Sequence, residues 1–332
     1  MTPASEWPTF GLIDDMRGPM FDAVARDRPF ALATIYAADG GPRPVGAQMV
    51  VTGDACSGFL SGGCIEEDVA IHARAALGDG EPRLLTYGRG SPFIDMRLPC
   101  GGRIDVLVER VRAGDRAVGA LLALSRRRVP ALWQSNGRER HCGPEDGLAA
   151  LAEPIVEHIY APPQRLAVVG TDPFALAIAG LGSRIGWDTI LLAPFGPSAP
   201  LPFAARCDRR PAREALADLK PDRWTAIAVV THDIDADEEI LVPALRSGAG
   251  YVGVLGSRRK LAERARRLRR AGLDDAQIGR LKAPIGLDLG AGTPWEVALS
   301  VAAEIIESRR DVPISVRYEQ SVVDLLEAEQ AR

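Results

Sequence analysis

The chain has 332 residues, 46% of them hydrophobic and 25% charged, with a formal net charge of −4. That length makes two domains the expectation. The mild acidity argues against a nucleic-acid binder, and no apolar run is long enough to span a bilayer. The five cysteines are odd in number and widely spread, which is no disulfide framework and suits a reducing compartment. The N-terminus lacks the basic start and apolar centre of a secretory leader. A cytoplasmic location is the expectation.

In chain order, residues 16–26 read as a helix, and Phe30–Tyr36 follows Pro29 as a strand. Asp39–Pro44 is a turn carrying Arg43, which suits an anion or a solvated turn equally. Gly46–Val51 and Cys56–Leu60 read as strands, Val69–Leu77 as a helix, and Pro82–Tyr87 and Ile104–Val108 as strands. Ala117–Arg127 reads as a helix and Val129–Trp133 as a strand. This order suggests a small α+β domain.

Two glycine-flanked cysteines stand out in it. In Ser61-Gly62-Gly63-Cys64-Ile65-Glu66 the glycines let the backbone approach a bulky ligand. The acids from Glu66 to Asp68 suit a helix start. A thiol there ionises more easily, and the thiolate is the nucleophile and the metal ligand. The plainer reading is a small apolar residue packed in a turn. Cys100-Gly101-Gly102 repeats the pattern and tips the balance toward function. Cys64 is expected to be the reactive thiol, as nucleophile or metal ligand, with Cys100 in reserve. Cys56, Cys142 and Cys207 have no supporting spacing and read as structural, and His72 and His158 as helix or linker surface.

Tyr160–Gln164, with two prolines, reads as the linker, giving domains of residues 1–160 and 161–332. Beyond it, strands at Arg165–Gly170, Asp188–Leu192, Trp224–Val230 and Tyr251–Leu255 alternate with helices, the signature of a Rossmann-like parallel sheet. The fold class is therefore α/β: a small α+β domain followed by a Rossmann-like one. The dinucleotide fingerprint is broken. Gly170-Thr171-Asp172-Pro173 keeps only its first glycine, places a carboxylate where a pyrophosphate would lie and removes an N–H donor. The second strand ends in Leu192-Ala193-Pro194 without the ribose-binding acid. NAD(P) is not the expected ligand.

Polar turns follow the later strands, where α/β sheets bind ligands. They are Thr231-His232-Asp233 and Gly256-Ser257-Arg258-Arg259, with Lys282–Asp288 further on. Ser257 is expected to cap a helix whose free N–H groups, with Arg258 and Arg259, suit an anion. Asp233, Asp235 and Asp237 read as helix-start acids. The basic stretch Arg258–Arg270 reads as a solvated face, with Leu261, Ala265 and Leu268 inward. Thr293-Pro294-Trp295-Glu296 is a capping box opening a core helix.

These motifs together resemble the XdhC/CoxI family of molybdenum-cofactor maturation proteins. The N-terminal likeness runs through residues 41–49, 61–66 and 98–102, and the C-terminal likeness through 231–233, 251–259 and 283–288. The resemblance implies an accessory chaperone that binds the molybdenum cofactor (molybdopterin), supports its sulfuration and inserts it into a xanthine dehydrogenase- or carbon monoxide dehydrogenase-type molybdoenzyme. It implies a cofactor-binding set of Arg43, Gln48, Ser61, Gly62, Gly63, Cys64, Glu66, Cys100, Gly101, Gly102, His232, Asp233, Gly256, Ser257, Arg258 and Arg259. The implied partners are that client, a cysteine desulfurase and a second copy of the chain. The family's glycine-rich turn and the acid after its second strand are replaced here by Thr171-Asp172-Pro173 and Ala193. The competing reading is a nicotinamide-dependent oxidoreductase, carried by the sheet pattern alone.

Overall fold

The computed structural model describes residues 9–12, 14–41, 43–91, 98, 101–147 and 151–309. The chain divides into two compact units, Met1–Pro162 and Pro163–Arg332.

The first unit runs α1 (Arg17–Ala25), β1 (Phe30–Asp39), β2 (Gln48–Val51), β3 (Cys56–Gly58), α2 (Glu66–Asp79), β4 (Arg83–Gly88), β5 (Arg103–Val111), α3 (Arg116–Arg126), β6 (Ala131–Ser135), β7 (Arg140–Pro144) and β8 (Val156–Tyr160). One sheet has the order β3-β2-β1-β5-β4 and a smaller one the order β7-β6-β8. Every pairing in them is antiparallel. The larger sheet is buried on both faces, and the two-residue period of a strand sorts its side chains between them. Ala31, Ala33 and Ile35 pack with Val69, Ala73 and Ala76 of α2. Phe30 and Leu32 face the other way, with Met20, Leu121 and Trp133.

Strands β7 and β8 were not foreseen. Tyr160, read as linker, closes β8 and is buried. His158, read as surface, lies in the same strand with its ring 4.4 Å from that of Tyr160. Burial there holds the imidazole below its usual pKa.

The second unit runs β9 (Arg165–Val169), α4 (Pro173–Arg184), β10 (Asp188–Leu192), β11 (Arg206–Asp208), α5 (Ala212–Leu219), β12 (Thr225–Val229), α6 (Ile234–Arg246), β13 (Tyr251–Val254), α7 (Leu261–Arg270), α8 (Asp275–Gly279), β14 (Leu281–Lys282) and α9 (Pro294–Ser308). Its sheet is parallel, with order β11-β10-β9-β12-β13-β14. Counted from β9 this is the dinucleotide-fold order, reversing between β9 and β12. Its four central strands are near-continuous apolar runs because helices cover both faces. Ala167, Val169 and Ile227 pack toward Leu216, Leu241 and Leu268 of α5, α6 and α7. Leu166, Val168 and Ala228 pack toward Ile178, Val301 and Ile305 of α4 and α9.

The foreseen capping box forms: Thr293 accepts from the Glu296 N–H, and the Glu296 carboxylate accepts from the Thr293 N–H at 2.9 Å. Two details differ. Ser257 does not cap a long helix. A short 3-10 turn, Arg258–Lys260, intervenes, and α7 begins at Leu261 behind Lys260, without a side-chain cap. The basic helix is also not wholly solvated, since Arg264 is buried.

Candidate functional site

Antiparallel pairing fixes where the N-terminal motifs lie. Met49 of β2 pairs with Gly58 of β3, and Asp39 at the end of β1 pairs with Arg103 at the start of β5. Arg103 in turn pairs with Gly88 at the end of β4. The turn carrying Arg43, the loop carrying Cys64 and the turn at Gly101-Gly102 therefore leave the sheet at one end. Leu60, Ile65, Tyr87 and Leu98, which flank these loops, share one core. Cys100 lies outside the described residues.

Glu66 builds the cysteine loop. Its Oε1 accepts from the N–H groups of Leu60 at 2.9 Å and Ser61 at 2.6 Å, and its Oε2 accepts from Ser61 Oγ at 2.8 Å. Ser61 Oγ accepts in turn from the Cys64 N–H at 3.0 Å. Burial alone would push the Glu66 carboxyl up, but the bonds from Ser61 and Leu60 outweigh it and hold the group below the usual carboxylate range. Ser61 and Glu66 are buried, while Gly62, Gly63 and Cys64 are exposed. Gly63 has φ +101, and a Cβ on either glycine would meet nothing within 4 Å. The first residue of α2 is Glu66, with Ile65 as its cap position, so Cys64 stands just ahead of the helix. The Glu66 charge is tied into the loop rather than turned toward the thiol. Burial raises the Cys56 thiol, and pushes that of Cys142 up to about 12, so both are poor nucleophiles.

Arg43 pairs with Asp14 and lies 4.5 Å over the ring of Phe59, just before the cysteine loop. Its Nε is buried without a partner among the described residues. Gln48 is buried, donates to Thr34 Oγ1 at 3.3 Å and accepts from the Tyr160 hydroxyl at 2.8 Å. Both line a cavity of about 370 Å³ together with Arg17, His158 and Tyr160. Arg17 was not singled out in the sequence, and His158 and Tyr160 read there as surface and linker. Gly46 was the available signal, since a Cβ there would meet His158 Nδ1 at 2.8 Å. Gly102 has a packing reason: its Cβ would fall 2.3 Å from the Gly40 carbonyl oxygen.

In the second unit the polar turns follow the carboxyl ends of β12 and β13. Asp233 caps α6, accepting from the Asp235 N–H at 2.8 Å. Asp237 lies in the first turn of α6, as expected of a helix-start acid, but faces inward. It is buried against Arg264 and accepts from Thr231 Oγ1 at 2.6 Å. A Cβ on Gly256 would come within 3.3 Å of the Arg264 guanidinium, so the turns after β12 and β13 are joined through one buried ion pair. Ser257 and Arg259 are exposed; the side chain of Arg258 lies outside what is described.

The strand-order reversal opens a crevice of about 590 Å³. It gathers the Gly170 turn, Pro194 and Phe195 after β10, and Thr231 and His232 after β12. The Gly256–Arg259 turn is not among its lining. Asp172 caps α4 through Oδ1, accepting from the Ala175 N–H at 2.8 Å, and holds His232 Nε2 at 2.6 Å through Oδ2. Pro173 is the first residue of the helix.

Comparison with known proteins matches residues 166–305 to the XdhC Rossmann domain and residues 23–88 to the XdhC and CoxI family. The chain is 30% identical to the molybdenum cofactor insertion chaperone PaoD of Escherichia coli (strain K12), covering 87% of this chain and 86% of PaoD. It is 28% identical to a probable xanthine dehydrogenase subunit of Bacillus subtilis (strain 168), over 89% of this chain and 98% of that protein. A crystal structure described as a xanthine dehydrogenase from Bacillus halodurans superposes with a TM-score of 0.69 at 25% identity, covering 92% of this chain and 98% of that one. Likeness that spans both units, at the identity found with PaoD, places the chain in the XdhC and CoxI family.

Proposed function

We propose that this protein carries the molybdenum cofactor and inserts it into a molybdoenzyme of the xanthine dehydrogenase class. The relationship to PaoD, an insertion chaperone, supports the reading. The observation that carries it in this chain is the exposed Cys64 on a glycine loop braced by Glu66, at the sheet end it shares with Arg43 and Gly101. Among the described residues no group of three or more His, Cys, Asp or Glu side chains could hold a metal ion. A single thiol suits a metal that arrives with its own ligands, as molybdenum does on a pterin dithiolene. The open space over Gly62 and Gly63 leaves room for such a group, and Arg43 offers it a cation.

The same thiol suits sulfuration. A cysteine desulfurase persulfide would pass its terminal sulfur to the Cys64 thiolate, leaving the desulfurase as thiolate and Cys64 as persulfide. A client of the carbon monoxide dehydrogenase type fits this chemistry equally well. Among the described residues no helix is long and apolar enough to cross a membrane, and the described cysteines are free thiols. The free thiols accord with work in a reducing compartment.

The test is activation of a cofactor-free xanthine dehydrogenase-type enzyme by this protein, purified from molybdate-grown cells. Wild-type protein is expected to restore activity, and Cys64→Ala to lower the yield at least tenfold while retaining its circular dichroism. Equal activation by the alanine variant would remove Cys64 from the reading, and no activation by wild type would remove the reading itself.

A further inference from the structure

The cavity of about 370 Å³ in the first unit is lined by two arginines, Arg17 and Arg43, and by two adjacent acids, Asp14 and Asp15. The two ion pairs they form are built differently. Asp15 engages Arg17 along a whole guanidinium edge. The Arg17 Nε–H donates to the two carboxylate oxygens at 2.8 and 3.0 Å, and Nη2 donates to Oδ2 at 2.5 Å. Asp15 also accepts from the Arg17 backbone N–H at 3.0 Å, where α1 begins. The charge of Arg17 is thus neutralised within its own turn. At neutral pH His158 adds no further positive charge, because burial and the Arg17 charge hold its imidazole below the ordinary pKa.

Arg43 presents the same kind of edge, and only half of it is used. Its Nη2 pairs with Asp14, while its Nε is buried and has no partner among the described residues. An edge of two parallel N–H groups matches two oxygens of one oxyanion, and buried donors are almost always paired. Phe59 stacks 4.5 Å from the guanidinium, which fixes its plane by covering a face and leaves the edge to an acceptor. Asp14 is a loose occupant of that edge. Its side chain is 76% exposed, against 22% for Arg43, and an exposed carboxylate on one N–H of a cation adds little stability. The 3-10 turn ahead of it, Thr9–Leu12, ends in a leucine that is 83% exposed, so Leu12 does not anchor the approach to Asp14.

We infer that the Arg43 edge is an oxyanion site whose internal competitor is Asp14: a dianion of the phosphate type displaces the Asp14 carboxylate and takes both N–H donors. The dianion gains over Asp14 by its second charge and by the bond to Nε that Asp14 leaves unmade. Asp14 therefore closes this cation, stacked just ahead of the cysteine loop, to weakly held anions. The inference rests on the geometry at Arg43 and holds whether or not the protein carries a cofactor.

The test is calorimetric titration of the full-length protein with inorganic phosphate, methyl phosphate and acetate at fixed ionic strength. Asp14→Ala and the isosteric Asp14→Asn are each expected to bind phosphate about fivefold more tightly than wild type, the scale of one exposed ion pair, with unchanged circular dichroism. Adding Arg43→Lys, which keeps the charge and removes the edge, is expected to abolish that gain. Acetate is expected to bind Asp14→Ala about tenfold more weakly than phosphate does. Methyl phosphate binding above inorganic phosphate would assign an esterified ligand, and the reverse a free ion. Wild-type affinity in both Asp14 variants, a gain that survives Arg43→Lys, or acetate binding as tightly as phosphate would overturn the inference. No probe contains molybdenum and no readout involves Cys64, so that failure would leave the proposed carriage standing.

Discussion

Glu66 shows how one side chain turns a glycine-rich segment into a defined loop. Removing a buried acceptor that serves several donors costs about 1–3 kcal/mol, and that range is expected for Glu66→Gln at neutral pH. The pH dependence has a definite sign. The folded-state pKa is lowered, so the carboxylate's contribution is complete above its unfolded value of about 4.3 and is lost as pH falls through the folded value. Urea unfolding of both proteins should therefore show a stability gap that is constant from pH 6 to 8 and closes below about pH 4. A gap that persists unchanged in acid would mean that Glu66 acts by shape rather than charge. The helix start at the acids after the cysteine loop was legible in the sequence, but the inward turn of Glu66 onto Leu60 and Ser61 was not, because an acid at a helix start can equally face solvent. Arg264 was missed although the signal was present. It falls on the stripe of Leu261, Ala265 and Leu268, and an arginine on an inward stripe needs a buried partner. Asp237, read as one of three helix-start acids, is that partner.

At the scale of elements, the Asp237–Arg264 pair fastens α7 to the start of α6 and the turn after β12. Both side chains are almost wholly buried, at 1% and 5% exposure. Such a pair gives little net stability over an apolar replacement, but breaking it from one side strands a charge, at a cost of about 3–5 kcal/mol. Asp237→Ala is expected to destabilise by that amount. Asp237→Leu combined with Arg264→Met should recover most of the loss, since neither charge then remains buried. A double variant as unstable as the single one, measured by thermal unfolding, would show that the pair's geometry rather than its charge holds these turns. The central strands of both units were legible as apolar runs, and α3 and α6 by their one-sided apolar faces. β7 and β8 were not. Arg140–Pro144 contains a glycine and a proline, and Val156–Tyr160 mixes charged and apolar residues. Both occupy edges of a three-stranded sheet, where such residues are tolerated and the local pattern is weakest.

Across the whole chain, the first unit has two sheets and the second one, each unit with its own cores, and each gathers its distinctive turns in a different way. Antiparallel pairing collects the first unit's motifs at one sheet end. Parallel winding collects the second unit's at the carboxyl ends of its strands. The broken dinucleotide fingerprint was legible residue by residue, but the Asp172–His232 pair and the exposed Phe195 beside it were not, because they come from three different strand ends. The central claim is cofactor carriage, and pterin content tests it most directly. Protein purified under reducing conditions from molybdate-grown cells is denatured and oxidised, and the released pterin is quantified by fluorescence. Wild-type protein is expected to release pterin approaching one equivalent per chain, and protein from cells unable to make molybdopterin none. Wild-type preparations that release no more pterin than an unrelated protein of the same cells would contradict carriage.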